Sequence, residues 1–127
     1  MPSIVTTSAD QAPRFQLPGL EFTGLASPSR GSSDVCTWRL TLEPGLTSPE
    51  AHTLDRDEVF MVVEGAIRLA PGGDRVAAGD VAVVPAGTPI QIANVGEGRA
   101  EVVVAIASGF TATAADGSRI GTPPWAL

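Results

Sequence analysis

Fourteen glycines and eleven prolines punctuate this chain of 127 residues from end to end. They leave no window for an amphipathic helix of useful length, so the chain has to fold from short extended segments joined by turns. The segments between the breaks carry the matching signal. Cys36, Trp38, Leu40 and Leu42 fall on one face of an extended stretch, and Thr37, Arg39 and Thr41 on the other, which predicts a half-buried strand. Val59–Val63 is wholly apolar and predicts a buried strand. Ile67–Ala70 and Arg75–Ala78 flank Pro71-Gly72-Gly73-Asp74, a hairpin signal, and Val81–Val84, Thr88–Asn94 and Ala100–Ala107 follow at even spacing. The pattern predicts an all-β fold: a sandwich, a jelly roll or a small barrel.

Scarcity limits the chemistry. The chain has one histidine, His52, one cysteine, Cys36, and neither lysine nor tyrosine. Schiff-base catalysis, an intrachain disulfide, a cysteine zinc finger and a three-histidine metal site within one chain are therefore excluded. Net charge is −6, and the eight arginines are scattered from Arg14 to Arg119, which argues against nucleic acid as a partner. No apolar run approaches the length of a membrane span. Residues Met1–Pro13 have neither a positive charge nor a long apolar stretch, so they do not read as a signal peptide. A lone cysteine fits a cytoplasmic protein.

The stretch from Gly45 to Gly65 resembles the first motif of the cupin family. His52 falls on its first histidine, Glu58 on its glutamate, and Gly65 stands seven residues beyond. Gly79, Pro85, Gly87 and Asn94 match the spacing of the second motif. The resemblance implies a single cupin-type jelly-roll β-barrel over residues 34–107. Residues 1–33 would form an N-terminal arm with edge strands, and residues 108–127 a C-terminal strand and short tail, with Trp125 docked on this subunit or across a dimer. Leu54 stands where the family places a second histidine, and Ile90 where the second motif has its own. Two of four ligands become hydrocarbons, so the reading predicts no metal and no other cofactor.

His52 and Glu58 are the candidate catalytic residues. His52 is either a proton-transfer group or the remnant of an abandoned metal site. Glu58 either orients the imidazole or forms a structural pair. Leu54, Phe60, Ile90, Ile92 and Trp38 would line an apolar pocket or simply fill the core. Arg56 shares parity with His52 and Glu58 and would clamp a ligand anion there, or else is a solvated loop residue beside Asp55 and Asp57. Cys36 reads as a small buried hydrophobe. The expected function is metal-independent binding of a small organic molecule, with His52 available for proton transfer. The alternatives are a metal-independent isomerase, cyclase or lyase, a degenerate dioxygenase-like protein, and a non-catalytic structural dimer module. The expected partners are that small molecule and a second copy in a homodimer.

Overall fold

A computed structural model describes residues 3–127; Met1 and Pro2, the first residues of the expected arm, lie outside the described residues. Twelve strands run in chain order: β1 (Arg14–Leu17), β2 (Leu20–Ala26), β3 (Val35–Leu42), β4 (His52–Leu54), β5 (Glu58–Glu64), β6 (Ala66–Ala70), β7 (Arg75–Ala77), β8 (Val81–Val84), β9 (Gln91–Asn94), β10 (Ala100–Ala107), β11 (Ala112–Ala114) and β12 (Arg119–Gly121). The helical content among these residues is two single 3-10 turns, Pro28–Arg30 and Pro124–Ala126. No helix among them is long and apolar enough to cross a membrane.

The strands form three antiparallel sheets. A six-stranded sheet has the order β1-β2-β3-β10-β5-β8, and two three-stranded sheets have the orders β12-β11-β4 and β7-β6-β9. All three contribute to one apolar core. The alternation in the sequence explains this arrangement. On β3, Cys36, Trp38, Leu40 and Leu42 are buried, and on β10, Val102, Val104 and Ile106 are buried between more exposed neighbours.

The sheets do not close, which corrects the expected jelly-roll barrel. Closure requires every strand to have a ladder partner on both sides. Here β1, β8, β12, β4, β7 and β9 each have one. Isolated bridges at Thr47–Ala93 and His52–Ile90 are what links β4 and the loop before it to the segment around β9. Pro49, Pro85 and Pro89 flank these junctions, and a proline has no amide hydrogen with which to extend a ladder. The expected N-terminal arm is part of the main sheet, where β2 pairs along β3 from Leu20–Leu42 to Ala26–Thr37.

A second expectation changes on β5. Its apolar run is not buried on both faces: Phe60 and Val62 point inward, while Met61 and Val63 are 38% and 54% exposed. Val81 and Val83 on β8 are exposed as well, and Met61 lies opposite Val81 in the register. An apolar outer face thus produced the same sequence signal as a doubly buried strand.

Gly65 fixes the turn from β5 into β6. Its φ is +76°, and a Cβ there would lie 2.8 Å from the carbonyl oxygen of Arg99. Both the backbone angle and the close approach exclude a side chain. Gly65→Ala is expected to destabilise the fold by about 2 kcal/mol in urea denaturation, since strain and overlap act together; a loss below about half of that would mean that the turn relaxes.

Candidate functional site

The core is not filled solid. A cavity of about 350 Å³ opens among β2, β3, β4, β5, β9 and β11. Period-two geometry aims its wall. His52 and Leu54 lie two apart on β4, and Glu58 and Phe60 lie two apart on β5, so each pair shares a face. Trp38 and Leu40 enter from β3, and Ile92 from β9, with Ile90 just before it. Of the eight residues singled out from sequence, seven line this cavity: His52, Glu58, Leu54, Phe60, Ile90, Ile92 and Trp38. Arg56 is outside the lining; it is half-exposed and lies 4.0 Å from Asp55. The chain turns between β4 and β5, so a parity count carried through Asp55-Arg56-Asp57 does not hold.

Other wall residues come from the two end segments, which sequence reasoning did not bring to the pocket. Phe22, Phe110 and Trp125 line the same space. The signal was present in the composition: the chain has six aromatic residues, and all but Phe15 line this cavity. Trp125 docks on its own subunit. Its ring stacks on Phe22 with centroids 3.7 Å apart and planes 9° from parallel, and it meets Trp38 edge-on at 6.5 Å. The tail is fastened by backbone contacts. Arg30 Nη2 donates to the Trp125 carbonyl at 3.1 Å, Cys36 Sγ to the Ala126 carbonyl at 3.4 Å, and Ser27 Oγ to the Leu127 carbonyl at 2.7 Å. Cys36 is fully buried, and burial pushes its thiol pKa up, with the Arg30 charge offsetting part of the rise. Its place is structural: it anchors the tail that closes one side of the cavity.

The two central titratable groups are both shifted toward neutrality. Burial lowers the His52 pKa below its ordinary value, with the Glu50 backbone carbonyl pulling the other way. Glu58 is 4% exposed, and desolvation raises its carboxyl pKa to about 8. No arginine lines the cavity. Near neutral pH the site therefore holds an uncharged imidazole and a carboxylic acid in an apolar wall.

The four positions where the cupin resemblance implies metal ligands are held by His52, Leu54, Glu58 and Ile90. All four line the cavity, but two of them bring only hydrocarbon. Among the described residues no group of three or more His, Cys, Asp or Glu side chains is placed to hold an ion. This donor set does not fit a transition metal, which takes three or more nitrogen, oxygen or sulfur ligands from the protein.

Comparison with known proteins agrees with this architecture. The family model described as Cupin domain matches residues 38–106. Among solved structures, KdgF from Halomonas sp. superimposes with a TM-score of 0.70 at 16% identity, over 83% of this chain and 94% of that one, a likeness of fold. A sugar phosphate isomerase of the cupin superfamily from Silicibacter pomeroyi superimposes with a TM-score of 0.68 at 28% identity, over 86% of this chain and 80% of its own. A curated relative, Endoribonuclease YbeY from Myxococcus xanthus, is 35% identical over 80 residues, 61% of this chain. The chain spans only 26% of that protein's length. With the family model covering more than half of its residues, the chain belongs to the cupin family.

Proposed function

We propose that the chain binds a small organic molecule in this cavity without a metal, and that His52 transfers a proton to or from the bound molecule. The composition of the wall carries this reading: mostly hydrocarbon and aromatic, with one imidazole, His52, the buried Glu58 carboxyl and Ser48 set into it and the exposed Glu50 among its lining residues. Such a wall strips water from a ligand, and an imidazole that stays uncharged near neutral pH keeps a lone pair free to accept a proton. Glu58 supports it as an acid held in the same wall.

An isomerase, cyclase or lyase that uses the same His52 is the second reading, favoured by the isomerase from Silicibacter pomeroyi. A phosphorylated sugar suits this chain poorly, because its phosphate would meet no cation in the lining. RNA suits it no better, given a net charge of −6. A dioxygenase-like reading lacks its donor set, and a purely structural module would have no use for a cavity. Pairing of two copies is part of the proposal, supported by the exposed Met61, Val63, Val81 and Val83 beside the open edge of β8. A cytoplasmic location is proposed with it, supported by the single unpaired Cys36.

The test is a neutral aromatic probe that reacts only when a base takes its proton. Nitrobenzisoxazole opens to a coloured cyanophenolate when its ring C–H proton is removed and its N–O bond breaks. The protein is expected to accelerate this opening over buffer, and His52→Ala to lose the acceleration by roughly a hundredfold. Equal rates for both proteins would remove His52 as the base.

A further inference from the structure

The cavity is graded from floor to rim. Trp38, Phe60 and Phe110 are 3%, 4% and 1% exposed and form its floor. Leu17, Pro49 and Glu50 belong to the same lining but are exposed, so they stand where the cavity meets solvent. The floor is thus aromatic, and the rim carries a carboxylate. Glu50 takes part in no ion pair among the described residues, so its charge is free to meet whatever enters.

The polar groups of the lining share one character. Its ionisable side chains are two carboxyls, Glu50 and Glu58, and one imidazole, His52. Arg30 is close by but outside the lining, turned to the carbonyls of Leu25 and Trp125. An anion entering the cavity would pass a carboxylate and find no cation to replace its hydration. Glu50 only accepts hydrogen bonds. His52 is half-buried. Burial favours its uncharged form, which has one N–H and one lone pair, and the Glu50 backbone carbonyl engages the N–H. The lone pair is left to accept. The Ser48 hydroxyl already accepts from the Ile92 amide at 3.0 Å. Two acceptors with accessible surface, two residues apart, therefore call for a ligand that donates and carries positive charge.

We propose that the cavity takes a primary organic amine in its protonated form, an arylalkylammonium, whose ring lies among the floor aromatics and whose ammonium donates to Glu50 and His52 at the rim. This rests on the small-molecule reading of the same cavity and names its ligand class. The two ends of such a molecule match the two ends of the cavity. Burial of the ring against Trp38, Phe60 and Phe110 supplies affinity. The charge stays at the edge of the water, where it keeps part of its hydration, and its charge-assisted hydrogen bonds supply selection.

Calorimetric titration of the intact protein at neutral pH tests the proposal. The four probes are built on 2-ethylnaphthalene and end in a primary ammonium, a trimethylammonium, a hydroxyl or a carboxylate. The primary amine is expected to bind about tenfold more tightly than the alcohol, the value of one hydrogen bond to a charged group. The trimethylammonium, which has the charge but no N–H, is expected to fall between them, and the carboxylate to bind most weakly. Glu50→Gln is expected to lose most of the amine's advantage over the alcohol. Glu97→Gln removes the same charge from an exposed turn outside the lining and is expected to retain that advantage. Both positions are exposed, so neither variant disturbs the core. Equal binding of amine and alcohol overturns the ammonium assignment while leaving the small-molecule reading intact, as does tighter binding of the carboxylate. An equal loss in Glu50→Gln and Glu97→Gln also overturns it, because net charge rather than the rim would then be selecting. A trimethylammonium that binds as tightly as the primary amine overturns the donation to His52. Binding of none of the four overturns both readings.

Discussion

Glu58→Gln is expected to make the protein more stable in mild alkali and to flatten the dependence of its stability on pH. The folded chain keeps the Glu58 proton up to about pH 8, whereas the unfolded chain releases it near the ordinary value of 4.5. Between those limits the folded state carries one proton more than the unfolded state. Stability contributed by this group is therefore fully present below the unfolded pKa and is lost as pH rises toward the folded one. The slope for one proton is about 1.4 kcal/mol per pH unit. Across the window the loss is on the order of 5 kcal/mol, a large share of a small domain's total stability. Glutamine has the same shape and never ionises. The variant is expected to match the parent near the unfolded pKa and to exceed it by a few kcal/mol above about pH 8.

His52 acts at the other end. Burial lowers its pKa below 6.5, so below that pH the unfolded chain takes up a proton that the folded chain refuses, and stability falls as pH drops through 6.5. That slope is common to both proteins and cancels in their difference. Urea denaturation followed by tryptophan emission, at a series of pH values, measures the difference directly. Parallel stability curves for parent and variant would show that Glu58 is ionised in the folded chain. Its role as a neutral acid in the cavity would then fall.

The site was legible in the sequence where its residues share a strand. His52 with Leu54, and Glu58 with Phe60, are two apart within β4 and β5, so their common facing follows from strand geometry alone. Family spacing aligned the two strands with each other and with Ile90. At Arg56 strand parity no longer holds, because the chain turns between β4 and β5. Phe22, Phe110 and Trp125 were out of reach for another reason. They arrive from both ends of the chain, and nothing local to any of them says which cavity it joins. Whether the sheets close was also not encoded in any one segment. Closure depends on pairing between strand edges far apart in sequence, and Val81 or Met61 looks the same on a covered face as on an open one.

Asn94 is the polar residue whose loss is expected to cost most. It is buried at the end of β9. Its Nδ2 lies within hydrogen-bonding distance of the carbonyls of Leu42 at 3.2 Å, Glu43 at 3.1 Å and Gly98 at 2.9 Å, so two hydrogens serve three acceptors. Its Oδ1 accepts from the Gly96 amide at 3.0 Å. One side chain thus ties the end of β3, the loop after it and the turn from β9 into β10. Removing it leaves the Leu42 carbonyl buried without this donor, at about 1–3 kcal/mol, and strips the part-buried groups of Glu43, Gly96 and Gly98 of theirs at a smaller cost each. Asn94→Ala is expected to cost about 3–4 kcal/mol in urea denaturation, after relaxation recovers part of that sum. Asn94→Asp is expected to be worse at neutral pH, because a carboxylate donates nothing and would face three carbonyl oxygens. Acidification is expected to restore part of the loss in Asn94→Asp alone, since a protonated carboxyl donates once. A cost under about 1 kcal/mol for the alanine variant would show that water replaces the side chain. Because Asn94 is outside the cavity lining, ligand affinity of the folded fraction is expected to stay unchanged. That separates a residue holding the frame from Glu58 and His52, which face what the frame encloses.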